Sequence, residues 1–203
     1  MSKVNYSKLF NKLKAAGWFE GRYIHSEKES TSLKEYFPTK ILDFFREFGD
    51  LALKSDLSYI SHGTECFYMD MNIYGISMLN SINDNSINEE DDRFNINDPI
   101  NFGEDAQYYY YSSLIGTNLF AVAGTKNSLG IYMDEFGNFY EITDITQLIW
   151  IANNPIDALE QLLYGTSDAL ELNEERLEWM GRINEPLKYN PPINKNLTEN
   201  PWR

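Results

Sequence analysis

Apolar side chains recur at helical spacing twice near the amino end of the chain. Across residues 4–16, Leu9, Phe10 and Leu13 share one side with Tyr6 nearby, while Lys8, Lys12 and Lys14 fall largely on the other. This pattern predicts a short amphipathic helix. Gly17 can adopt the left-handed conformation that ends such a helix, and Trp18 and Phe19 follow as an apolar anchor. A short extended segment runs from Gly21 and Arg22 through Ile24. The polar run 26–32 is a loop, or opens into a helix at 32–36. Pro38, a good first-turn residue, starts a second helix. Ile41, Phe44, Phe45 and Phe48 form its core side, and Gly49 stops it.

The pattern then changes to strands. Residues 57–79 read as strands joined by turns, with bends at Gly63 and Gly75. Cys66 falls in one of these strands as a small buried side chain. Residues 80–105 are rich in Asn, Asp and Glu. They form a loop, or two short elements joined by loops, from which Phe94, Ile96 and Ile100 tuck back onto the core. Tyr108, Tyr109, Tyr110 and Tyr111 form either the end of a helix or an irregular surface segment. Residues 118–124 predict a central strand and 129–133 a second. Asp134-Glu135-Phe136-Gly137 is a turn, and 138–142 returns as the partner strand, which makes this the clearest hairpin. Residues 147–152 give another apolar run. Asn154-Pro155 opens a helix that turns Ile156, Leu159, Leu162 and Leu163 inward and stops at Gly165. Residues 171–183 predict a last helix. The tail 186–203 is rich in Pro and Asn, and either packs irregularly or is mobile.

The length of 203 residues suits one ordinary domain, and 42% hydrophobic with 15% aromatic residues is no disordered composition. Charge adds more. The net charge is -14 and uneven: residues 1–54 carry a net +3, and residues 55–203 a net -17. The acidic part repels bare nucleic acid, which needs cationic phosphate contacts. It attracts a basic partner, or simply confers solubility. The amino end lacks the apolar segment of a signal peptide, and no apolar run is long enough to span a membrane. One cysteine excludes an internal disulfide and fits a reducing compartment. A cytoplasmic protein is expected.

No catalytic constellation stands out. The two histidines, His25 and His62, and Cys66 form no metal-binding spacing. The run from Asp84 to Asp98 lacks the ordered oxygens, central glycine and terminal glutamate of a calcium loop. No nucleophile elbow surrounds any serine. Asp134 and Glu135 have the chemistry for acid–base work, but a hairpin turn already accounts for them. Lys8, Lys12 and Lys14 make only a small basic patch. Neither an enzyme, a cofactor nor a metal is expected.

Several stretches together resemble bacterial immunity proteins of the SUKH superfamily. Leu13 to Arg22, with its Gly17-Trp18-Phe19-Glu20-Gly21-Arg22 core, resembles the amino-terminal signature of one branch. Ile41 to Leu51 resembles its next helix, with Asp50 where a second glycine often follows Gly49. Leu119 to Gly124, Ile131 to Tyr140 and Asp157 to Gly165 complete the likeness, which spans about 9–165 and leaves 166–203 as a carboxy-terminal extension. The superfamily is also related to a fungal cell-wall assembly regulator domain.

The resemblance implies a single α+β domain over 1–203, with a largely antiparallel or mixed sheet flanked by helices. It implies a non-enzymatic antitoxin that binds a polymorphic toxin, often a nuclease; an intracellular scaffold or regulatory module is the alternative. Gly17, Trp18, Gly21, Arg22, Phe45, Phe48, Gly49, Asp134, Gly137, Tyr140, Ala158, Leu159, Leu162 and Gly165 are expected to build the fold. Arg22 would either pair with a carboxylate or cap a group of carbonyls. The candidate partner surface is Glu89, Glu90, Asp91, Asp92, Glu104, Asp105 and Tyr108 to Tyr111. It would cover the basic nucleic-acid-binding surface of a toxin.

Overall fold

The computed structural model describes residues 6–24, 37–54, 70–75, 107–125, 130–143, 146–165, 169–181 and 186–197. Among these residues there are four helices: α1 (Ser7–Ala15), α2 (Thr39–Phe48), α3 (Gln107–Ile115) and α4 (Pro155–Tyr164). Eight strands form one sheet: β1 (Ala52–Leu53), β2 (Met71–Ile73), β3 (Leu119–Thr125), β4 (Gly130–Asp134), β5 (Phe139–Ile142), β6 (Leu148–Ala152), β7 (Leu170–Asn173) and β8 (Glu178–Met180). Each strand pairs antiparallel with the next in the chain. The protein is α+β, and every strand pair among the described residues is antiparallel.

β6 explains the layering. All five of its side chains are buried. Side chains alternate between the faces of a strand, so a strand with no polar position needs cover on both. Ile149 and Ile151 join a core with Leu9 and Leu13 of α1, Phe44 and Phe45 of α2, and Leu159 and Leu162 of α4. Leu148 and Trp150 join a second core with Tyr111 and Leu114 of α3 and with Leu170, Leu172 and Trp179. Three helices therefore cover one face, while α3 and the carboxy-terminal residues cover the other.

Local chemistry sets the element ends. The Asn154 side chain accepts the Asp157 backbone N–H at 2.9 Å and caps α4, with Pro155 in its first turn. In the β4–β5 hairpin, Gly137 N donates to Asp134 O at 3.1 Å, and Asp134 N donates to Asn138 O at 3.0 Å. Gly137 takes φ +93°, where a Cβ would be strained.

The helix expected over 171–183 is absent from its described residues, 171–181. β7 and β8 form a hairpin with Leu172 opposite Trp179. Asn173 Oδ1 accepts the backbone N–H groups of Glu175 and Arg176, both at 3.0 Å, and Leu177 takes φ 50°. The helix-favouring residues Glu174 to Leu177 thus occupy the turn. Leu170, Leu172 and Trp179 are buried beside Trp150, and that burial outweighs intrinsic propensity.

Of the two expectations for the tail, residues 186–197 follow the packed, irregular one. Trp179 Nε1 donates to Pro192 O at 3.1 Å, and Asn194 N donates to Leu114 O at 2.9 Å. Tyr189 lies 4.9 Å from Trp150, ring centre to ring centre. The strands expected at 57–69 and 76–79, Cys66 and the stretch 80–105 lie outside the described residues.

Trp150 is 2% exposed and donates to Asn138 Oδ1 at 3.2 Å. Trp150→Ala is expected to cost about 3–5 kcal/mol, read as a lower urea midpoint. A loss below about 1 kcal/mol would mean that the second core collapses around the gap and does not depend on this ring.

Candidate functional site

The amino-terminal signature solves a sequence of backbone problems. Gly17 takes φ +101°, and Trp18 N donates to Leu13 O at 2.9 Å, which ends α1. The chain turns, and Trp18 drops into the core, stacked on Phe48 at 6.4 Å and tilted against Phe10 at 5.4 Å, ring centre to ring centre. Its indole nitrogen is buried near the Glu47 carboxyl without closing a hydrogen bond. Burial pushes that carboxyl up from the ordinary range, and the indole N–H opposes the shift.

Gly21, at φ +77°, leads into Arg22. The Arg22 guanidinium donates from Nη1 to Glu47 O at 2.6 Å and from Nη2 to Gly49 O at 2.7 Å. These carbonyls belong to the end of α2, where intrahelical donors run out and the helix dipole is negative. Arg22 is therefore a carbonyl cap. Burial lowers its pKa, and nearby Asp50 opposes that shift. A Cβ on Gly49 would sit 2.3 Å from Phe45 O. The left-handed conformation falls one residue later, on Asp50 at φ 63°. A second glycine would fit that conformation without strain.

The β4–β5 turn holds the most concentrated polar group. Asp134 is fully buried. Its Oδ1 accepts Phe136 N at 2.9 Å and Asn138 N at 2.8 Å, and its Oδ2 accepts Asn138 Nδ2 at 2.8 Å and Tyr140 Oη at 2.9 Å. A carboxylate with four donors is structurally satisfied. Burial, then the Asp134 charge, raises the Tyr140 pKa. The remaining motif residues Phe45, Phe48, Ala158, Leu159 and Leu162 are core, and Gly165 ends α4 at φ 67°.

Tyr109, Tyr110 and Tyr111 are helical, on α3, as is the Tyr108 backbone. Tyr109 and Tyr110 are half-buried, and Tyr111 is buried. Tyr110 Oη donates to Glu174 Oε2 at 2.6 Å. Tyr111 Oη donates to Glu174 Oε1 at 3.0 Å and to Thr146 O. Glu174, in the β7–β8 turn, was not singled out by sequence; 63 and 64 positions separate it from these tyrosines, and no local pattern links them. Glu89, Glu90, Asp91, Asp92, Glu104 and Asp105 lie outside the described residues. Among the described residues, no group of three or more His, Cys, Asp or Glu could hold a metal ion.

Arg22→Ala is expected to cost about 2–3 kcal/mol, because two charge-assisted bonds are lost. Arg22→Lys would restore only part, since an ammonium cannot fork across two carbonyls; full recovery on a denaturation curve would rule out the forked cap.

Tyr6 is pushed up to about 12 by its hydrogen bond to Asp157, and Tyr132 to about 12 by burial. With Tyr140 also raised, the folded state holds protons that the unfolded state releases above the ordinary phenol value of 10.0. That stability is complete below pH 10 and falls as pH rises towards 12. Tyr140→Phe should lower stability by about 1 kcal/mol at neutral pH and flatten the alkaline decline. Equal alkaline slopes in both proteins would show that Tyr140 does not carry it.

The sequence profile of the SUKH-3 immunity protein family matches residues 6–165. No curated protein and no solved structure matches the chain. The matched span runs from the start of α1 to the end of α4, and so contains the Trp18 anchor, the Arg22 cap and the Asp134 turn. The chain belongs to the SUKH-3 immunity protein family, whose members are not catalysts.

Proposed function

We propose that this chain neutralises a cognate polymorphic toxin in the cytoplasm, that the toxin is a nuclease, and that inhibition works by covering its substrate-binding surface. Family membership supports a non-enzymatic immunity role with a polymorphic toxin as partner. Charge carries the finer reading. Residues 55–203 hold a net -17, and a nuclease must present cations to the phosphates it grips. An acidic protein occupies such a surface and excludes the substrate sterically, while long-range attraction speeds the encounter.

Glu89, Glu90, Asp91, Asp92, Glu104 and Asp105 are the proposed contact groups, with Tyr108 to Tyr111 next to them in sequence. Within that run Tyr110 and Tyr111 bond to Glu174, and Tyr109 packs against the second core. No described helix is long and apolar enough to cross a membrane.

Co-expression with the toxin encoded beside the gene should restore host survival and yield a stable complex. Replacing Glu89, Glu90, Asp91 and Asp92 with their amides should slow association by about tenfold at low salt and flatten its salt dependence. Rescue with an unchanged association rate would remove that cluster from the steering surface. Absence of both rescue and complex, with active toxin and folded protein, would sink the pairing itself.

A further inference from the structure

One concave site carries the opposite charge from the rest of the molecule. A groove of about 470 Å³ is lined by Lys8, Lys12, Ala15, Ala16, Ala52, Lys54 and Tyr164. Among the described residues, every charged group in that lining is a lysine, in a chain of net charge -14. Three alanines leave the space, and Tyr164, the last residue of α4, supplies an aromatic wall. Lys8 Nζ lies 4.2 Å from the centre of that ring and Lys12 Nζ 5.9 Å. Lys12 also donates to Lys54 O, which ties α1 to the end of β1. Among the described residues, no strand pairs with the outer edge of β1.

A helix-dipole role covers only part of this. Lys12 and Lys14 are in the last turn of α1, where cations offset the carbonyl end. Lys8 is one turn earlier, and Lys54 comes from the β1 end. Lys14, which shares the dipole position, does not line the groove. Glu160 is within electrostatic reach of Lys8 and offsets part of its charge.

The surroundings select among anions. The carboxy-terminal ends of α1 and α4 both border the groove; such ends disfavour any anion, and a phosphate dianion about twice as much as a singly charged carboxylate. Among the described residues no arginine lines it, so none of them forks onto a phosphate. Single carboxylates at intervals fit better. Lys8 and Lys12 are about 6 Å apart along α1, and alternate side chains of an extended peptide are about 6.5–7 Å apart.

We propose that this groove binds an extended, carboxylate-rich segment of a partner protein, with Lys8, Lys12 and Lys54 pairing its acids and Tyr164 packing its apolar stems. The proposal stands independently of the toxin reading, which uses acidic groups elsewhere in the chain.

The test uses the full chain and a fluorescent peptide of alternating glutamate and valine, with a glutamine–valine peptide as control. Anisotropy at low salt should show saturable binding of the acidic peptide, at least about tenfold tighter than the control. K8Q/K12Q should weaken it at least about tenfold, K8R/K12R should retain it, and K14Q should leave it unchanged. Thermal midpoints report whether each variant is folded.

No saturable binding at millimolar peptide, or an equal loss in K14Q, would overturn the proposal. So would inorganic phosphate outcompeting the peptide, since the site would then be a phosphate site. Binding that appears only when Glu89, Glu90, Asp91 and Asp92 are neutralised would make the chain's own acidic run the occupant, and the partner proposal would fall.

Discussion

The rest of the structure depends on β6 being apolar on both faces. A strand reading Leu-Ile-Trp-Ile-Ala cannot face water on either side without exposing large side chains. Cover on the first face comes from α1, α2 and α4, all inside the family-matched span. Cover on the second comes from α3 and from residues beyond that span: Leu170, Leu172 and Trp179, with Ile193 and Leu197 packed against them. The carboxy-terminal extension is thus half of the second wall. Tyr110 and Tyr111 join the two parts of that wall through Glu174.

What could be read in advance follows from how local each signal is. α1, α2, α4 and the β3–β6 strands show their periods and caps within windows of about ten residues, and all are present with ends shifted by about a residue, except that α1 starts at Ser7 where 4 was expected. The β7–β8 hairpin was missed because its strands are four and three residues long. Too few alternations remain to compete with a Glu- and Arg-rich turn that favours helix. The Arg22 cap was one of two open readings, since its partners are carbonyls 25 and 27 positions away and carbonyls have no sequence signature. The lysine groove was half visible. Lys8 and Lys12 stand together on one helix, but Lys54 and Tyr164 arrive from distant parts of the chain and are assembled only by folding.

The motif residues and the proposed recognition surfaces therefore do different physical work. Gly17, Gly49 and Gly137 remove Cβ atoms where the backbone turns sharply or approaches itself. Arg22 and Asp134 satisfy backbone groups that burial would otherwise leave unpaired. Such residues tolerate little change because each has one geometric solution. They are also spent internally, so they contribute little to what a partner meets. Charge on the exterior is under no comparable constraint. It can change sign or position while the three-layer core stays intact, which lets one scaffold face different partners. Here that freedom leaves a lysine-lined groove on a chain of net charge -14.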